Sequence, residues 1–132
     1  MSSWSVHTAA TRKYLLRMKQ GSVQTVITDP PYGIGINGED WDRKDIAVKG
    51  RPFVSAFEEF TYTWAKQCFR LLPPGGHLLA FAAPRMSHHL TSAVERAGFE
   101  IREPLIWAFG TGMVKSRLYE GGQAIGLKPA FE

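Results

Sequence analysis

The sequence has 132 residues, of which 44% are hydrophobic and 21% charged, an ordinary composition for one soluble domain with a core. It contains no apolar run near the roughly 20 residues that span a bilayer, and no secretory signal at its start, so we expect a cytoplasmic protein without a membrane segment. The formal net charge of +4 permits a polyanionic partner without requiring one.

The first predicted elements are a helix over residues 8–20 and a strand over residues 23–28. Thr8 is the expected N-cap and Gly21 the expected C′ residue, because a side-chain oxygen satisfies the first N–H groups of a helix and glycine tolerates the left-handed backbone at its end. The strand consists mostly of β-formers, which favours a buried position in a sheet.

The strand must stop at Asp29, because two prolines follow it. Pro30 fixes its own φ and Pro31 restricts Pro30 in turn, and neither can donate to a sheet ladder. The exit from the strand therefore holds one geometry. The carboxyl end of a strand is where open α/β sheets bind their ligands, so we expect a functional site here.

The residues at this exit suit the exocyclic amine of a nucleobase. Such an amine has two hydrogens to donate, and the Asp29 carboxylate and the Pro30 carbonyl are both acceptors. Tyr32 offers a flat face for stacking a base that has left its helix, a contact worth roughly 1–3 kcal/mol. The alternative is a plain Pro-Pro turn after a strand, with Tyr32 half buried.

Residues 33–52 contain four glycines and show neither helical nor strand periodicity, which predicts a flexible loop of about twenty residues. A loop that long inside a compact domain is usually functional or disordered. We interpret it as a mobile flap that closes over the base and meets DNA. Arg43 and Lys44, within this loop, are the candidate phosphate contacts.

Two helices and two strands are predicted after the loop. The helices cover residues 53–72 (or 55–72) and 85–97, and the strands cover residues 77–82 and 99–109, the last with a bulge or edge at Pro104. Cys68 is expected to be a buried small hydrophobe. No metal site is predicted, because the neighbouring His88 and His89 cannot both face one point on a helix.

The run Asp29-Pro30-Pro31-Tyr32 resembles the DPPY motif of the amino-group DNA methyltransferases, which methylate adenine N6 or cytosine N4 with S-adenosylmethionine. Other segments agree with this family in its own order: Gln20-Gly21-Ser22-Val23, the Leu-Leu-Pro-Pro-Gly-Gly run at 71–76, residues 107–116 and residues 124–132. The last segment is similar to the permuted members, in which the catalytic half precedes the cofactor half. The resemblance spans nearly the whole chain.

The resemblance implies a partial Rossmann-like α/β methyltransferase fold, with a mainly parallel sheet and flanking helices, in a single domain over residues 1–132. It implies that Asp29, Pro30, Pro31 and Tyr32 are catalytic and that Asp29 and Pro30 also contact S-adenosylmethionine. The implied activity is site-specific DNA methylation of a flipped-out base, adenine N6 in preference to cytosine N4, of the restriction-modification kind.

The resemblance also implies that residues 110–132 hold the start of the target-recognition region and a connector, with Lys115 and Ser116 contacting double-stranded DNA. In permuted members a Phe-x-Gly-x-Gly cofactor loop follows the segment that here holds Lys128-Pro129, and these 132 residues stop before it. We therefore expect a truncated catalytic half that does not turn over alone. It would self-associate or pair with a complementary chain that supplies the cofactor half.

Two other functions are compatible with the sequence. The chain could be a non-catalytic remnant or an accessory DNA-binding module that keeps the fold. It could also methylate protein glutamine, but the family with that activity typically has Asn where this chain has Asp29, which makes glutamine methylation the least favoured reading.

Overall fold

The computed structural model describes residues 4–34, 41–44, 46–108, 117–118 and 124–125. The chain divides into two compact units, Met1–Arg102 and Glu103–Glu132. The first unit contains α1 (Thr11–Arg17), β1 (Thr25–Thr28), α2 (Trp41–Lys44), α3 (Phe53–Leu71), β2 (His77–Ala80) and α4 (Ser87–Arg96). The second unit contains two short strands, β3 (Arg117–Leu118) and β4 (Ala124–Ile125).

The sheet of the first unit is the parallel pair of β1 and β2. Thr25 pairs with His77 and Thr28 with Ala80, and the Phe81 N–H extends the ladder by donating to the Thr28 carbonyl at 3.0 Å. Parallel neighbours need a long crossover, and α3 lies in the segment between these two strands. The α/β class predicted from the sequence is confirmed.

Helix α3 forms the centre of the core. Its buried side chains form one stripe, at steps of one, three or four residues: Ala56, Phe57, Thr61, Trp64, Ala65, Cys68 and Leu71. Five of them belong to the same core cluster as Leu90 and Val94 of α4: Ala56, Phe57, Trp64, Ala65 and Cys68. One face of the sheet, with Val26 and Leu78, packs on this core. The opposite face leaves Ile27 71% and Leu79 38% exposed.

The first helix is shorter than predicted at both ends, and its C-terminal end is capped by a side chain from α3. The N-cap position is held by Ala10 instead of Thr8, and the C-cap is Met18. The Arg70 guanidinium donates to the Leu15 carbonyl at 2.7 Å and to the Met18 carbonyl at 2.9 Å, which satisfies the open end of the helix. Gly21, with φ +66°, lies in the turn before β1 and is not the C′ residue.

The predicted loop over residues 33–52 is partly structured. It contains α2, and two of its side chains are among the most buried, Asp42 at 1% and Ile46 at 2% exposed. The expectation of a wholly irregular loop is corrected at these residues, because Ile46 packs into the core and Asp42 bonds the backbone. A mobile flap that closes over the base stays a prediction. Residues 35–40 and 45 lie outside the described residues.

The third predicted strand is absent from residues 99–108. The Phe99 N–H donates back to the Val94 carbonyl of α4, and Leu105 and Ile106 are 84% and 90% exposed. Apolar content suggested a strand, but a strand needs a neighbour for its backbone groups, and Pro104 has no N–H to give to a ladder. The rest of the predicted strand, at residue 109, lies outside the described residues.

The second unit has a short antiparallel ladder that the sequence had not indicated, in which Arg117 pairs with Ile125 and Leu118 with Ala124. Lys115 and Ser116 lie outside the described residues. Among the helices that the structure describes, none combines the length and the apolar character needed to cross a membrane.

Candidate active site

The candidate site begins where the β1–β2 ladder ends. Thr28 accepts the last ladder hydrogen bond, from Phe81, and Asp29 is the next residue of the chain. The segment that leaves β2 at the same edge continues to Arg85. The two parallel strands therefore deliver an acidic and a basic residue to one end of the sheet, as expected of their common direction.

Asp29 and Tyr32 are brought together by the turn that the two prolines form. The Tyr32 hydroxyl donates to Asp29 Oδ1 at 2.5 Å, with Asp29 exposed and Tyr32 half-buried. Partial burial, this hydrogen bond and the negative charge of Asp29 together raise the pKa of Tyr32 to about 12. Tyr32 is therefore a neutral donor at physiological pH, and it holds one oxygen of the carboxylate.

The Pro30 carbonyl remains available as a second acceptor. Within the described ranges, no backbone N–H donates to it, since the residue lies beyond the end of the ladder. Pro30 and Pro31 are themselves half-buried, and they separate Asp29 from Tyr32 by two residues of restricted φ. The arrangement presents a carboxylate, a carbonyl and an aromatic ring on one short rigid turn.

Gly33 follows this turn at a position that strongly favours glycine. Its φ is +70°, and a Cβ at this position would lie 2.7 Å from Cζ of Phe53. The backbone of Gly33 is thus packed directly on the Phe53 ring at the start of α3. The sequence pattern predicted a flexible loop at Gly33 and gave no indication of this contact.

Ile34 is held through both of its backbone polar groups. Its N–H donates to Asp42 Oδ2 at 2.9 Å, and its carbonyl accepts from Arg85 Nη2 at 3.0 Å. Neither Asp42 nor Arg85 was identified from the sequence. The sequence offered only a weak signal for them, an arginine shortly after a predicted strand and an acid within a charged loop.

The predicted DNA contacts are only partly described. The Arg43 guanidinium lies over the Phe53 ring, 4.5 Å from its centroid, while Lys44 is exposed on α2. The Phe53 ring thus contacts both Gly33 and Arg43. Lys115 and Ser116, the other two predicted DNA-binding residues, lie outside the described residues.

Comparison with known proteins points to one family. Residues 23–125 match the model of a family described as DNA methylase. The chain is 26% identical over 108 residues to the type II methyltransferase M.HpaI of Haemophilus parainfluenzae, which covers 81% of this chain and 32% of that protein. It is 24% identical over 120 residues to M.HindIII of Haemophilus influenzae, covering 69% of this chain and 38% of that protein.

A third relative is the type II methyltransferase M.BamHI of Bacillus amyloliquefaciens, 27% identical over 75 residues, which covers 57% of this chain and 16% of that protein. The matched region thus amounts to 32% and 38% of the length of the first two relatives. No solved structure matches the chain.

Proposed function

Because this chain belongs to the N6/N4 DNA methylase family, we propose that it is the catalytic half of a site-specific DNA methyltransferase. The reaction proposed is methyl transfer from S-adenosylmethionine to the exocyclic amine of a flipped-out base, adenine N6 in preference to cytosine N4. The observation that carries the proposal is the turn after β1, where the Asp29 carboxylate, the Pro30 carbonyl and the Tyr32 ring lie together at the end of the ladder.

Each of these groups has a distinct part in the proposal. Asp29 and the Pro30 carbonyl accept the two N–H bonds of the amine, which orients its nitrogen lone pair. The amine lies inside the duplex, so the base must first leave its stack. Tyr32 then stacks on the extruded base, and Pro31 keeps the ring at a fixed separation from the carboxylate.

The same turn fits one end of S-adenosylmethionine. An exposed carboxylate and an open carbonyl suit a cationic, N–H-bearing group, and the cofactor carries both a sulfonium and an ammonium. Asp29 and Pro30 are the residues that would touch it. When bound, the cofactor supplies an electrophilic methyl group to the amine nitrogen.

Double-stranded DNA is the proposed partner, in the cytoplasm. Arg43, Lys44, Lys115 and Ser116 are proposed to contact its phosphates, which the excess of basic residues supports. The exposed Ile27 and Leu79 side chains form an apolar sheet face, which supports the further proposal that the chain self-associates or pairs with a complementary chain carrying the cofactor half.

Methylation of duplex DNA by the complete protein, meaning this chain together with any segment or partner chain that supplies the cofactor half, tests this function. The protein is incubated with S-adenosylmethionine labelled on its methyl group, and the DNA is digested to nucleosides and separated. Label in N6-methyl-2′-deoxyadenosine is the expected result, whereas label in N4-methyl-2′-deoxycytidine would show that the methylated base is cytosine and leave the reaction type unchanged. A protein that binds duplex DNA and transfers no label would establish the accessory DNA-binding module instead.

A further inference from the structure

We propose that Asp42 and Arg85 are positioning residues, which hold the backbone of Ile34 between them and thereby fix the Tyr32 ring beside Asp29. This inference rests on the proposed function for its catalytic consequence, although the geometry stands without it. The two residues come from different parts of the first unit. Asp42 belongs to α2, and Arg85 lies in the segment after β2.

The contact from Asp42 is strong because of its surroundings. Asp42 is 1% exposed, and its Oδ2 accepts the Ile34 N–H at 2.9 Å. A buried carboxylate is costly without hydrogen-bond donors, so each donor that it binds is held firmly. The Ile34 N–H is therefore anchored to a side chain that the fold itself keeps out of water.

The contact from Arg85 acts on the opposite side of the same residue. Its guanidinium donates to the Ile34 carbonyl at 3.0 Å, although the arginine is otherwise exposed. This bond ties the chain that leaves β1 to the chain that leaves β2. Because its N–H and its carbonyl are both hydrogen-bonded, a large change in φ or ψ of Ile34 would break one of these two hydrogen bonds.

Gly33 transmits this restraint to Tyr32. It is the single residue between Ile34 and Tyr32, and the Phe53 and Phe57 rings lie 2.7 Å and 3.3 Å from the place of its absent Cβ. A glycine would ordinarily be a hinge, but this one is packed against two aromatic rings. The position of Ile34 therefore sets the position of Tyr32 and its hydroxyl bond to Asp29.

Ionisation of Tyr32 gives a direct readout of that position, measured by NMR of 13Cζ-labelled tyrosine in the folded chain. At pH 11 a phenol with a pKa of about 12 is about one-tenth ionised, whereas an ordinary phenol is about nine-tenths ionised. We expect Arg85→Ala to raise the ionised fraction of Tyr32 several-fold at this pH. Arg85→Lys, which keeps one donor, should stay near the parent value.

The direction of the change separates positioning from charge. Losing a positive charge near Tyr32 would by itself disfavour the phenolate and lower the ionised fraction, which is opposite to the effect of releasing the hydroxyl. Arg102→Ala is the matched control, since Arg102 pairs only with exposed Glu100 among the interactions described. An ionised fraction in Arg85→Ala that is unchanged or lower than in the parent would overturn the inference.

The hydrogen bond between the Ile34 N–H and Asp42 is tested with two variants of equal charge. Asp42→Asn keeps an oxygen for the Ile34 N–H and Asp42→Ala does not, so only the second should release Tyr32. If Asp42→Ala does not fold, the Arg85 variants decide the outcome. Equal ionisation in two folded Asp42 variants would contradict a role for that hydrogen bond.

Turnover by the complete protein supplies the second readout. A reacting group displaced by about 1 Å can cost on the order of a hundredfold in rate, so Arg85→Ala should lower kcat by up to that factor, with Arg85→Lys largely restoring it. If Arg85→Ala raises the ionised fraction of Tyr32 but leaves kcat unchanged, the proposal that Arg85 positions Tyr32 for the reaction is contradicted. If the parent protein transfers no methyl group, the proposed function is refuted. The NMR measurement alone then tests whether Asp42 and Arg85 position Tyr32 through Ile34.

Discussion

The hydroxyl of Tyr32 donates to Oδ1 of Asp29 across 2.5 Å, so the aromatic ring and the carboxylate of the site form one unit. The two residues were expected to act separately, with the ring stacking the base and the carboxylate binding its amine. Their hydrogen bond instead fixes the rotamer of an exposed carboxylate before any substrate arrives. An incoming amine meets an acceptor with one oxygen already committed and the other open to it.

Substitution of Tyr32 separates stacking from this hydroxyl bond. Tyr32→Phe keeps the ring, so capture of a flipped base should persist, but it releases the Asp29 carboxylate. A bond to a charged group contributes about 1.5–3 kcal/mol when buried, and the exposure of Asp29 reduces that here, so kcat should fall only several-fold. Tyr32→Ala should lose base capture as well.

Fluorescence of 2-aminopurine placed at the target base measures capture, and single-turnover methylation measures the rate. Tyr32→Trp is the control for the ring, since it should preserve stacking without a phenol. Loss of 2-aminopurine signal in Tyr32→Phe equal to that in Tyr32→Ala would assign base capture to the hydroxyl and contradict the stacking role.

The apolar sheet face should drive self-association of the isolated chain. Ile27 and Leu79 pair across the β1–β2 ladder on the exposed face, and threonine retains strand propensity at both positions. The double variant Ile27→Thr with Leu79→Thr should therefore shift the mass measured by light scattering toward the monomer, with little change in melting temperature. The same mass distribution for parent and variant at every concentration would show that this face does not mediate association.

Arg70 should contribute more stability than an ordinary surface arginine. Its guanidinium caps α1 through the Leu15 and Met18 carbonyls, and it also donates to Gln67. Loss of bonds from a charged group costs about 1.5–3 kcal/mol each when the partners are buried, and Arg70 is half-buried, so Arg70→Ala should lower the free energy of unfolding by about 2 kcal/mol.

Urea denaturation measures this difference, with Arg70→Lys expected to recover only part of it because an ammonium cannot reach both carbonyls in the same fork geometry. Arg102→Ala again serves as the control, because its exposed pair with Glu100 should contribute less than about 1 kcal/mol. Equal losses in Arg70→Ala and Arg102→Ala would show that α1 is not held by this cap.

Cys68 should resist modification while the chain is folded. It is 3% exposed, and burial raises the pKa of its thiol to about 11. At pH 8 about one thiol in a thousand would be ionised, and the reactive form is the thiolate. Ellman's reagent should therefore react slowly with the native protein and rapidly in denaturant. A prompt reaction under native conditions would place the thiol outside the core.

The sequence predicted helices and strands well where the hydrophobic periodicity ended at proline or glycine residues. Helix α3 was expected to begin at residue 53 or 55 and to end at residue 72, and it spans Phe53–Leu71, because a regular apolar stripe ends at a Pro-Pro-Gly-Gly run. Strand β1 was expected over residues 23–28 and spans Thr25–Thr28, stopped by the prolines. Buried Cys68 followed from its place on the same stripe.

The errors arose where tertiary contacts decide the local structure. The end of α1 is set by Arg70, 52 residues from Met18, which no local pattern contains. Asp42 is buried and accepts a hydrogen bond from the Ile34 N–H, a contact that the pattern of the glycine-rich segment does not reveal. The prediction of a third strand was wrong at residues 99–108, because apolar residues do not themselves provide a neighbouring strand to pair with.

The candidate site shows the same division. Asp29, Pro30 and Tyr32 could be identified because their chemistry is contiguous in the chain. Arg85 could not, because it reaches Ile34 only after β2 has paired in parallel with β1. The sequence shows that residue 33 is a glycine, but the reason for it, the close approach of the Phe53 ring, appears only in the fold.

Methyl transfer by the complete protein carrying Asp29→Ala tests the central claim most directly. Asp29 is exposed, so its removal should leave the circular dichroism spectrum and the melting temperature near those of the parent. Glu95→Ala is the matched control, an exposed acid on the last turn of α4. We expect label from S-adenosylmethionine to enter DNA at the parent rate with Glu95→Ala and to fall to background with folded Asp29→Ala. Methylation by Asp29→Ala at the parent rate would contradict the account.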